Sequence, residues 1–203
     1  MPTLFMMDRN RIRREVRQRR QQMDEVERRH RSLALCAHLA ESDLFRHARR
    51  IAFYLPNDGE PDLRPLIELA WSQDKHCYLP VVGARHSRRL WFLPYTPGTL
   101  LIPNRFGIPE PRHHRGERRF KPHGLDLVLM PLVAFDAAGH RLGMGGGYYD
   151  TTLAFLAHRR HWLRPRRVGT AFACQEVPAL PSQPWDVPLD AVATEDGVRT
   201  FRP

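Results

Sequence analysis

The strongest constraint on the fold of this chain is an apolar run followed at once by a glycine-rich stretch and a second apolar run. "LDLVLMPLVAF" (125–135) is the most hydrophobic segment, and "GHRLGMGGGYYD" (139–150) has five glycines in twelve positions. "TTLAFLAH" (151–158) then continues as a helix. Ordering glycine costs more backbone entropy than ordering any other residue, so such a cluster needs a reason. A strand, a glycine loop and a helix in succession predict a ligand site at the carboxyl end of a strand.

The rest of the chain alternates helix-like and strand-like segments. Residues 8 to about 44 predict two helices, the second starting near Asp24, because Asp24 and Glu27 resemble a capping box. A further helix is predicted at 61–73, and 97–124 predicts a long loop. Short β-branched or aromatic runs predict strands at 50–56, 76–82, 89–95, 167–173 and 189–194. This alternation predicts an α/β fold with a largely parallel sheet covered on both faces.

Composition narrows the class of protein. The 203 residues are 42% hydrophobic, which predicts one domain with a substantial core. Lys plus Arg is 32 against 22 for Asp plus Glu, a net charge of +10, and lysine occurs only at Lys75 and Lys121. Such a charge attracts anions, either phosphorylated or polyglutamylated small molecules or nucleic acid, or it reflects an arginine-rich composition without a specific partner.

Cysteine usage and the apolar runs suggest a cellular location. The cysteines are odd in number and far apart, which argues against a disulfide framework or a zinc cluster: Cys36, Cys77 and Cys174. No apolar run is long enough to be a signal peptide or to span a membrane. The expectation is a cytoplasmic, soluble protein with no membrane partner.

The glycine stretch predicts a phosphate cradle, because consecutive glycines let backbone N–H groups approach an anion closely. Neither the P-loop pattern nor G-x-G-x-x-G is present, since Tyr148 stands at the last glycine position. A flexible turn is the alternative. Arg141 is either a bidentate phosphate ligand or a surface arginine. Tyr148 and Tyr149 either line a ring pocket or pack in the core, and Asp150 is either a helix cap or a magnesium ligand.

Four blocks in a fixed order make the sequence recognisable. "FDAAGHRLGMGGGYYD" closely resembles the signature of the 5-formyltetrahydrofolate cyclo-ligase family, also called methenyltetrahydrofolate synthetases. The resemblance extends along nearly the whole chain, through "YLPNDGEPDLRPLI", "RFGIPEP" and "WDVPLDAVATEDG". Two positions depart from some members: Thr151 stands where many bacterial members have arginine, and Gly146 where animal members have lysine.

The resemblance implies a fold, an activity and cofactors. The fold would be a three-layer α/β/α sandwich related to the NagB/RpiA/CoA-transferase-like group, with residues 1–203 as one domain. The activity would use ATP and Mg²⁺ to convert 5-formyltetrahydrofolate, possibly polyglutamylated, to 5,10-methenyltetrahydrofolate. The formyl oxygen would be phosphorylated, N10 would close the ring, and phosphate would leave. We expect a monomer with no specific nucleic-acid partner.

The resemblance also implies site residues. Arg141 and Asp150 would be the catalytic residues. A helix at 8–22 would contribute to the ATP site, whose residues would be Arg9, Arg13, Arg141, Leu142, Gly143, Met144, Gly145, Gly146, Gly147, Tyr148 and Tyr149. Glu60 would bind the pterin ring, with Leu55 as a hydrophobic wall and Phe106 near the folate. Asp150 and Asp190 would bind magnesium.

Charge alone suggests one further contact, and three alternatives to the family activity stay open. The basic loop "RHHRGERR" (112–119), including Arg115 and Arg118, would attract the folate's glutamate tail. The alternatives are another ATP-dependent kinase or ligase on the same scaffold, a folate-binding regulator without activity, and a basic RNA-binding protein.

Overall fold

The arginine-rich start of the chain forms two helices in the computed structural model, which describes residues 8–83, 87–113, 120–158 and 164–201. Helix α1 is Arg9–Gln21 and α2 is Glu25–Glu41. The carboxylate of Asp8 accepts a hydrogen bond from the backbone N of Asn10 and caps α1. The carboxylate of Asp24 accepts one from the N of Glu27 at 2.7 Å and caps α2. Both the predicted helix at 8–22 and the break near Asp24 are confirmed.

The remaining elements alternate as the sequence predicts. Three more α-helices lie in the described ranges: α3 (Asp43–Arg46), α4 (Arg64–Ser72) and α5 (Tyr148–Leu153). The strands there are β1 (Arg50–Ala52), β2 (His76–Val82), β3 (Leu90–Pro94), β4 (Leu101–Pro103), β5 (Pro109–Pro111), β6 (Leu127–Pro131), β7 (Ala134–Phe135), β8 (Arg141–Leu142), β9 (Arg166–Thr170), β10 (Ala191–Thr194) and β11 (Gly197–Thr200).

Seven of the described strands form one sheet in the order β11-β10-β9-β6-β1-β2-β3. The five inner strands are parallel, and β3 and β11 pair antiparallel at the two edges. Successive residues of the inner strands face opposite sides. Ile51 and Leu129 pack with α2 and α4 on one face, whereas Ala52 and Met130 pack with Leu153 of α5 on the other. The predicted α/β fold, with a mostly parallel sheet covered on both faces, is confirmed.

Helix α1 packs outside these two layers. Its buried residues Ile12 and Val16 belong to a third, smaller cluster with Val133, Ala134, Leu142, Val177 and Leu180. This cluster lies beyond the carboxyl end of β6, so α1 is placed next to the segment that follows the most apolar strand.

The structure corrects the predicted strand 125–135, which divides into β6 and β7. Pro131 carries no backbone N–H, and the pairing of β6 with β9 ends there. The chain then turns into a two-strand hairpin in which Ala134 pairs with Leu142 and Phe135 with Arg141. Arg141 and Leu142 therefore lie on a strand rather than in the glycine loop.

Other segments also differ from their predicted bounds. The predicted loop 97–124 contains the hairpin of β4 and β5. These strands could not be predicted from the sequence, because each carries proline, a residue depleted in strands. The strand predicted at 50–56 ends at Ala52, and β11 was not predicted. Helix α5 begins at Tyr148, earlier than expected, because Gly147 takes the cap position. None of the helices in the described part of the chain has the length and apolar content needed to cross a bilayer.

Candidate active site

A cleft of about 1480 Å³ opens at the carboxyl ends of the inner strands. Tyr54 and Leu55 follow β1, Val82 ends β2, and Leu132 follows β6, and all four line the cleft. The helix α1, the glycine loop, α5 and residues 183–188 complete its wall. The cleft thus lies where open α/β sheets bind ligands.

The glycine loop, residues 143–147, lines one end of this cleft. Gly145 and Gly147 have φ values of 100° and 67°, which L-residues with a Cβ rarely adopt. A Cβ at Gly146 would lie 2.8 Å from the Tyr148 ring. These three positions therefore require glycine for conformation or space. Helix α5 has only six residues, so the positive charge at this end comes from arginine side chains rather than from a long helix dipole.

Arg141 and Asp150 form a buried ion pair beside the loop. The Nη2 atom of Arg141 donates to Oδ1 of Asp150 at 2.5 Å, and the backbone N of Val187 donates to the same oxygen at 3.1 Å. Arg141 is 7% exposed, and its Nε has no hydrogen-bond partner in the described residues. An unpaired buried donor is costly, so this guanidinium is held in place at an energetic cost beside the cleft that it lines. Asp150 is the third residue of α5 and is not its cap.

Two arginines of α1 reach the same end of the cleft. Arg9 makes a bidentate contact with Asp186, at 2.8 and 3.3 Å. The Nε of Arg13 donates to the carbonyl oxygen of Gly143 at 2.9 Å. Burial and the neighbouring Arg9 charge lower the pKa of Arg13, which indicates crowded positive charge. The structure therefore brings together the predicted ATP residues Arg9, Arg13 and Arg141 with the loop; of that predicted set, Leu142 alone is buried beneath the cleft wall in the core cluster of α1.

Glu60 and Leu55, from the segment that follows β1, also line the cleft. The Oε2 atom of Glu60 accepts a hydrogen bond from the backbone N of Asn57 at 3.1 Å. Burial raises the pKa of Glu60 to about 7, against 4.5 for an ordinary glutamate. Tyr54, beside it, is buried and donates to the carbonyl oxygen of Pro61 at 3.0 Å. A half-ionised carboxylate in an apolar wall is suited to bind a ring edge that carries N–H donors.

Phe106 sits on the turn of the β4–β5 hairpin and is 53% exposed at the cleft. Its ring meets the Tyr148 ring edge-on, with centroids 6.0 Å apart. The guanidinium of Arg105 lies over both rings. Glu110 of β5 fixes the hairpin by accepting from the N of Val82 and the Nδ2 of Asn104, both at 3.1 Å. Tyr148 therefore joins the glycine loop to the aromatic wall.

Two further arginines line the cleft just before β3, Arg88 and Arg89. Arg115 and Arg118 of the predicted tail-binding loop lie outside the described residues. Sequence reasoning missed Arg88 and Arg89, although the "SRRL" that holds them directly precedes a strand.

Asp190 does not line the cleft. It immediately precedes β10, and its carboxylate accepts from Arg167 at the backbone N, Nε and Nη2, at 2.6, 2.8 and 2.7 Å. Asp186 does line the cleft: its carboxylate pairs with Arg9, and the backbone N of its successor Val187 donates to Asp150. No cluster of three or more His, Cys, Asp or Glu in the described ranges has the arrangement of a metal site. A metal shared by Asp150 and Asp190 stays a prediction.

Sequence reasoning also missed Asp58, Asp186 and Trp185, all of which line the cleft. Trp185 is 67% exposed there. Asp58 adopts φ 51°, a left-handed conformation that an Asn-Asp-Gly turn tolerates. The only sequence signals for these three residues were the turn motifs "NDG" and "PWDVP" that contain them. A turn motif does not indicate a cleft, because the cleft forms only when the chain folds.

Comparison with known proteins agrees with this geometry. The model of the 5-formyltetrahydrofolate cyclo-ligase family matches residues 6–195. The 5-formyltetrahydrofolate cyclo-ligase of Haemophilus influenzae is 38% identical over 183 residues, 89% of this chain and 94% of that protein. That of Escherichia coli K12 is 44% identical over 152 residues, 74% and 80% of the two chains.

A solved structure extends the match to three dimensions. The 5,10-methenyltetrahydrofolate synthetase of Aquifex aeolicus superposes with a TM-score of 0.79 at 32% identity, covering 96% of this chain and 93% of that one. The sequence blocks, the cleft at the strand ends and these matches agree. The chain belongs to the 5-formyltetrahydrofolate cyclo-ligase family.

Proposed function

We propose that the protein uses ATP to convert 5-formyltetrahydrofolate to 5,10-methenyltetrahydrofolate. One observation carries the proposal: a single cleft of about 1480 Å³ is lined both by the glycine loop with Arg9, Arg13 and Arg141 and by Leu55, Glu60 and Phe106. We assign the first set to a phosphate-binding end and the second to a ring-binding end. A pocket for one drug-sized ligand measures about 300–1,000 Å³, so this volume suits two ligands side by side. The family relatives bear the corresponding names.

The phosphate end holds the ATP triphosphate. Arg9, Arg13 and Arg141 supply positive charge, and the loop 143–147 supplies backbone that approaches closely. Phosphoryl transfer needs positioning and charge neutralisation more than a covalent residue. The guanidinium of Arg141, which lines this end, supplies further donors for a phosphate oxygen.

Mg²⁺ fits the donor set at this end. Both hydrogen bonds to Asp150 from described residues fall on Oδ1, which leaves Oδ2 for a ligand. A nucleotide-bound Mg²⁺ needs only one or two protein carboxylates. When bound, Mg²⁺ would neutralise charge on the phosphates. Asp150 would hold it, with Asp186 nearby and Asp190 the partner that the family resemblance implies.

The ring end holds the folate. The ionised carboxylate of Glu60 accepts hydrogen bonds from the amino-pyrimidine edge, and Leu55 and Phe106 contact the ring system. In this arrangement the N5-formyl group would point toward the glycine loop, where its oxygen attacks the γ-phosphate and ADP leaves. The formyl carbon, whose oxygen now carries the phosphate, lies beside N10. N10 attacks this carbon and gives up its proton, and phosphate leaves with the former formyl oxygen as the ring closes; proximity supplies much of the rate. The glutamate tail leaves past Arg88 and Arg89.

Finer assignments belong to the same proposal. We place the fold in the NagB/RpiA/CoA-transferase-like group, with one domain that acts as a cytoplasmic monomer. The two helical layers around a parallel sheet support the fold assignment. The match of the family model along most of the chain supports a single domain.

The deciding experiment incubates purified protein with 5-formyltetrahydrofolate, ATP and Mg²⁺ and follows the near-ultraviolet absorbance of methenyltetrahydrofolate. We expect a signal that requires ATP and is lost in Asp150→Ala. Asp43→Ala is the matched control, because Asp43 is exposed on α3, outside the cleft. ATP binding without product from wild type would redirect the proposal to another phosphoryl acceptor, and substrate profiling would identify it.

A further inference from the structure

Four arginines of α1 share one face of the helix. Arg9, Arg13, Arg17 and Arg20 are spaced by four, four and three residues, which places them along one side. The proposed function uses the first two. The other two face a different part of the cleft wall, the turn at residues 57–60 that carries Glu60.

The turn is held to α1 through Asp58. Its carboxylate accepts from Nε and Nη2 of Arg17 at 2.8 and 3.1 Å, from Nη2 of Arg20 at 2.7 Å and from Nε2 of Gln21 at 3.3 Å. Arg20 is only 1% exposed, and it also contacts the carbonyl oxygen of Leu132 after β6. A buried charge with so many contacts fixes the relative position of helix and turn.

One helix therefore contacts three parts of the cleft wall. Arg9 contacts Asp186 in the segment 183–188, Arg13 contacts Gly143 in the glycine loop, and Arg17 and Arg20 contact Asp58. The helix is buried through the small third cluster and not through the two large cores of the sheet. Its position consequently depends heavily on these polar contacts.

We propose that the arginine face of α1 couples the two ends of the cleft, so that nucleotide and folate each raise the protein's affinity for the other. This inference rests on the proposed function. A ligand beside Arg9 and Arg13 favours one position of α1 against the cleft wall, and the contacts of Arg17 and Arg20 with Asp58 carry that position to the turn that holds Glu60. The second ligand then meets a wall that is already in the binding position. Arg17, Arg20 and Asp58 act as positioning residues.

The charges around Glu60 provide a second readout. Arg20 of α1 lowers its pKa, and Asp58 of the same turn raises it. Tyr54, after β1, and Tyr149 of α5 also face this carboxyl, and both phenols have raised pKa values, so they stay neutral near pH 7. Replacing Asp58 by asparagine removes this neighbouring negative charge and should therefore lower the midpoint of the pH dependence of folate binding.

The test measures the Kd of 5-formyltetrahydrofolate by calorimetry, with and without a saturating non-hydrolysable ATP analogue and Mg²⁺. For wild type we expect the analogue to lower this Kd about fivefold or more. Asp58→Asn should bring the ratio of the two Kd values, without and with the analogue, close to one. Arg14→Gln, an exposed position on the same helix, should keep the wild-type ratio.

Arg17→Gln covers the case in which Asp58→Asn does not fold, since it removes two donors at a partly exposed side chain without unpairing the buried Arg20. Arg17→Gln should also lower the ratio of the Kd without the analogue to the Kd with it. A wild-type ratio of one, or an unchanged ratio in the folded variants, overturns the coupling. Absence of any 5-formyltetrahydrofolate binding overturns the proposed function as well, so the two failures are distinguishable.

Discussion

At the scale of single residues, the site depends on charged groups that are buried with incomplete partners. Arg141 keeps an unpaired Nε among the described residues, and Glu60 has a pKa raised by burial. Such groups are expensive in a purely structural role and are concentrated at functional sites. Asp150 and Asp190 differ in this respect. No described residue donates to Oδ2 of Asp150, whereas both oxygens of Asp190 accept hydrogen bonds from Arg167.

Arg141→Met should lower kcat/KM by about 10²- to 10³-fold, because it removes a preorganised donor to the charge of the transferring phosphoryl group. Steady-state kinetics with ATP as the varied substrate checks this. Arg199→Met is the control, since Arg199 pairs with Glu176 at the exposed edge strand β11. Equal losses in both variants would contradict a specific role for Arg141.

Glu60→Gln should weaken 5-formyltetrahydrofolate binding at pH 8 by about tenfold, because it removes charged hydrogen bonds. Wild-type affinity should rise with pH around the Glu60 pKa of about 7, as the carboxyl ionises. The difference in affinity between the two proteins should therefore narrow as the pH falls from 8 to 6. Calorimetry from pH 6 to 8 measures it, and parallel curves for both proteins would contradict the assignment.

The same carboxyl should affect stability in the opposite direction. The pKa of Glu60 is about 7 in the folded protein, against the ordinary value of 4.5 that applies to the unfolded chain. Between these two pH values the folded state therefore binds more protons than the unfolded state. The free energy of unfolding should fall as pH rises through that window. Without ligand at pH 8, Glu60→Gln should be more stable than wild type by roughly 1–3 kcal/mol. Chemical denaturation tests this, with Glu68→Gln on the exposed face of α4 as control.

At the scale of elements, backbone conformation in the glycine loop determines what the loop can bind. Gly147 is left-handed and caps α5, and the loop between β8 and α5 lines the cleft. Local sequence predicted the loop and its neighbouring helix, because glycine and apolar spacing act over a few residues. It missed the β4–β5 hairpin, because pairing across a turn can override the low strand propensity of proline.

Gly147→Ala should destabilise the protein by about 1–2 kcal/mol, because a Cβ is unfavourable in the left-handed region. Gly98→Ala is a matched control: a Cβ at either glycine meets no atom of the described residues within 4 Å, and only Gly147 has a positive φ. Denaturant unfolding of both variants measures the difference. Equal stabilities would show that the loop relaxes without strain.

At the scale of the whole molecule, the net charge of +10 does not correspond to one uniformly basic surface. Many arginines are used in ion pairs within the described fold, including Arg31 with Glu195, Arg164 with Asp126 and Arg167 with Asp190. Among the described residues, the cleft is lined by both signs of charge, six arginines and four carboxylates: Arg9, Arg13, Arg88, Arg89, Arg141 and Arg167, with Asp58, Glu60, Asp150 and Asp186. Arginines in a concave site of this size favour a small anionic ligand over a nucleic-acid duplex.

RNA binding should accordingly be weak and salt-dependent. We expect the affinity for a random RNA to fall by about tenfold or more between 50 and 200 mM salt, because only non-specific phosphate contacts are available. Filter binding at several salt concentrations measures this. Sequence-selective nanomolar binding near physiological salt, without ATP turnover, would favour the RNA-binding alternative.

The sequence by itself determined the elements that local spacing encodes: the two N-terminal helices, the strand at 76–82, the glycine loop and the α/β class. Helical periodicity, capping and β-branched runs involve residues only a few positions apart, so they can be recognised in the sequence alone. The tertiary structure alone decided the neighbours of each functional side chain. Arg9 meets Asp186 across 177 positions, Arg13 meets Gly143 across 130, and Arg20 meets Asp58 across 38. No local pattern specifies such contacts, because they exist only after the sheet has brought distant loops to the same edge.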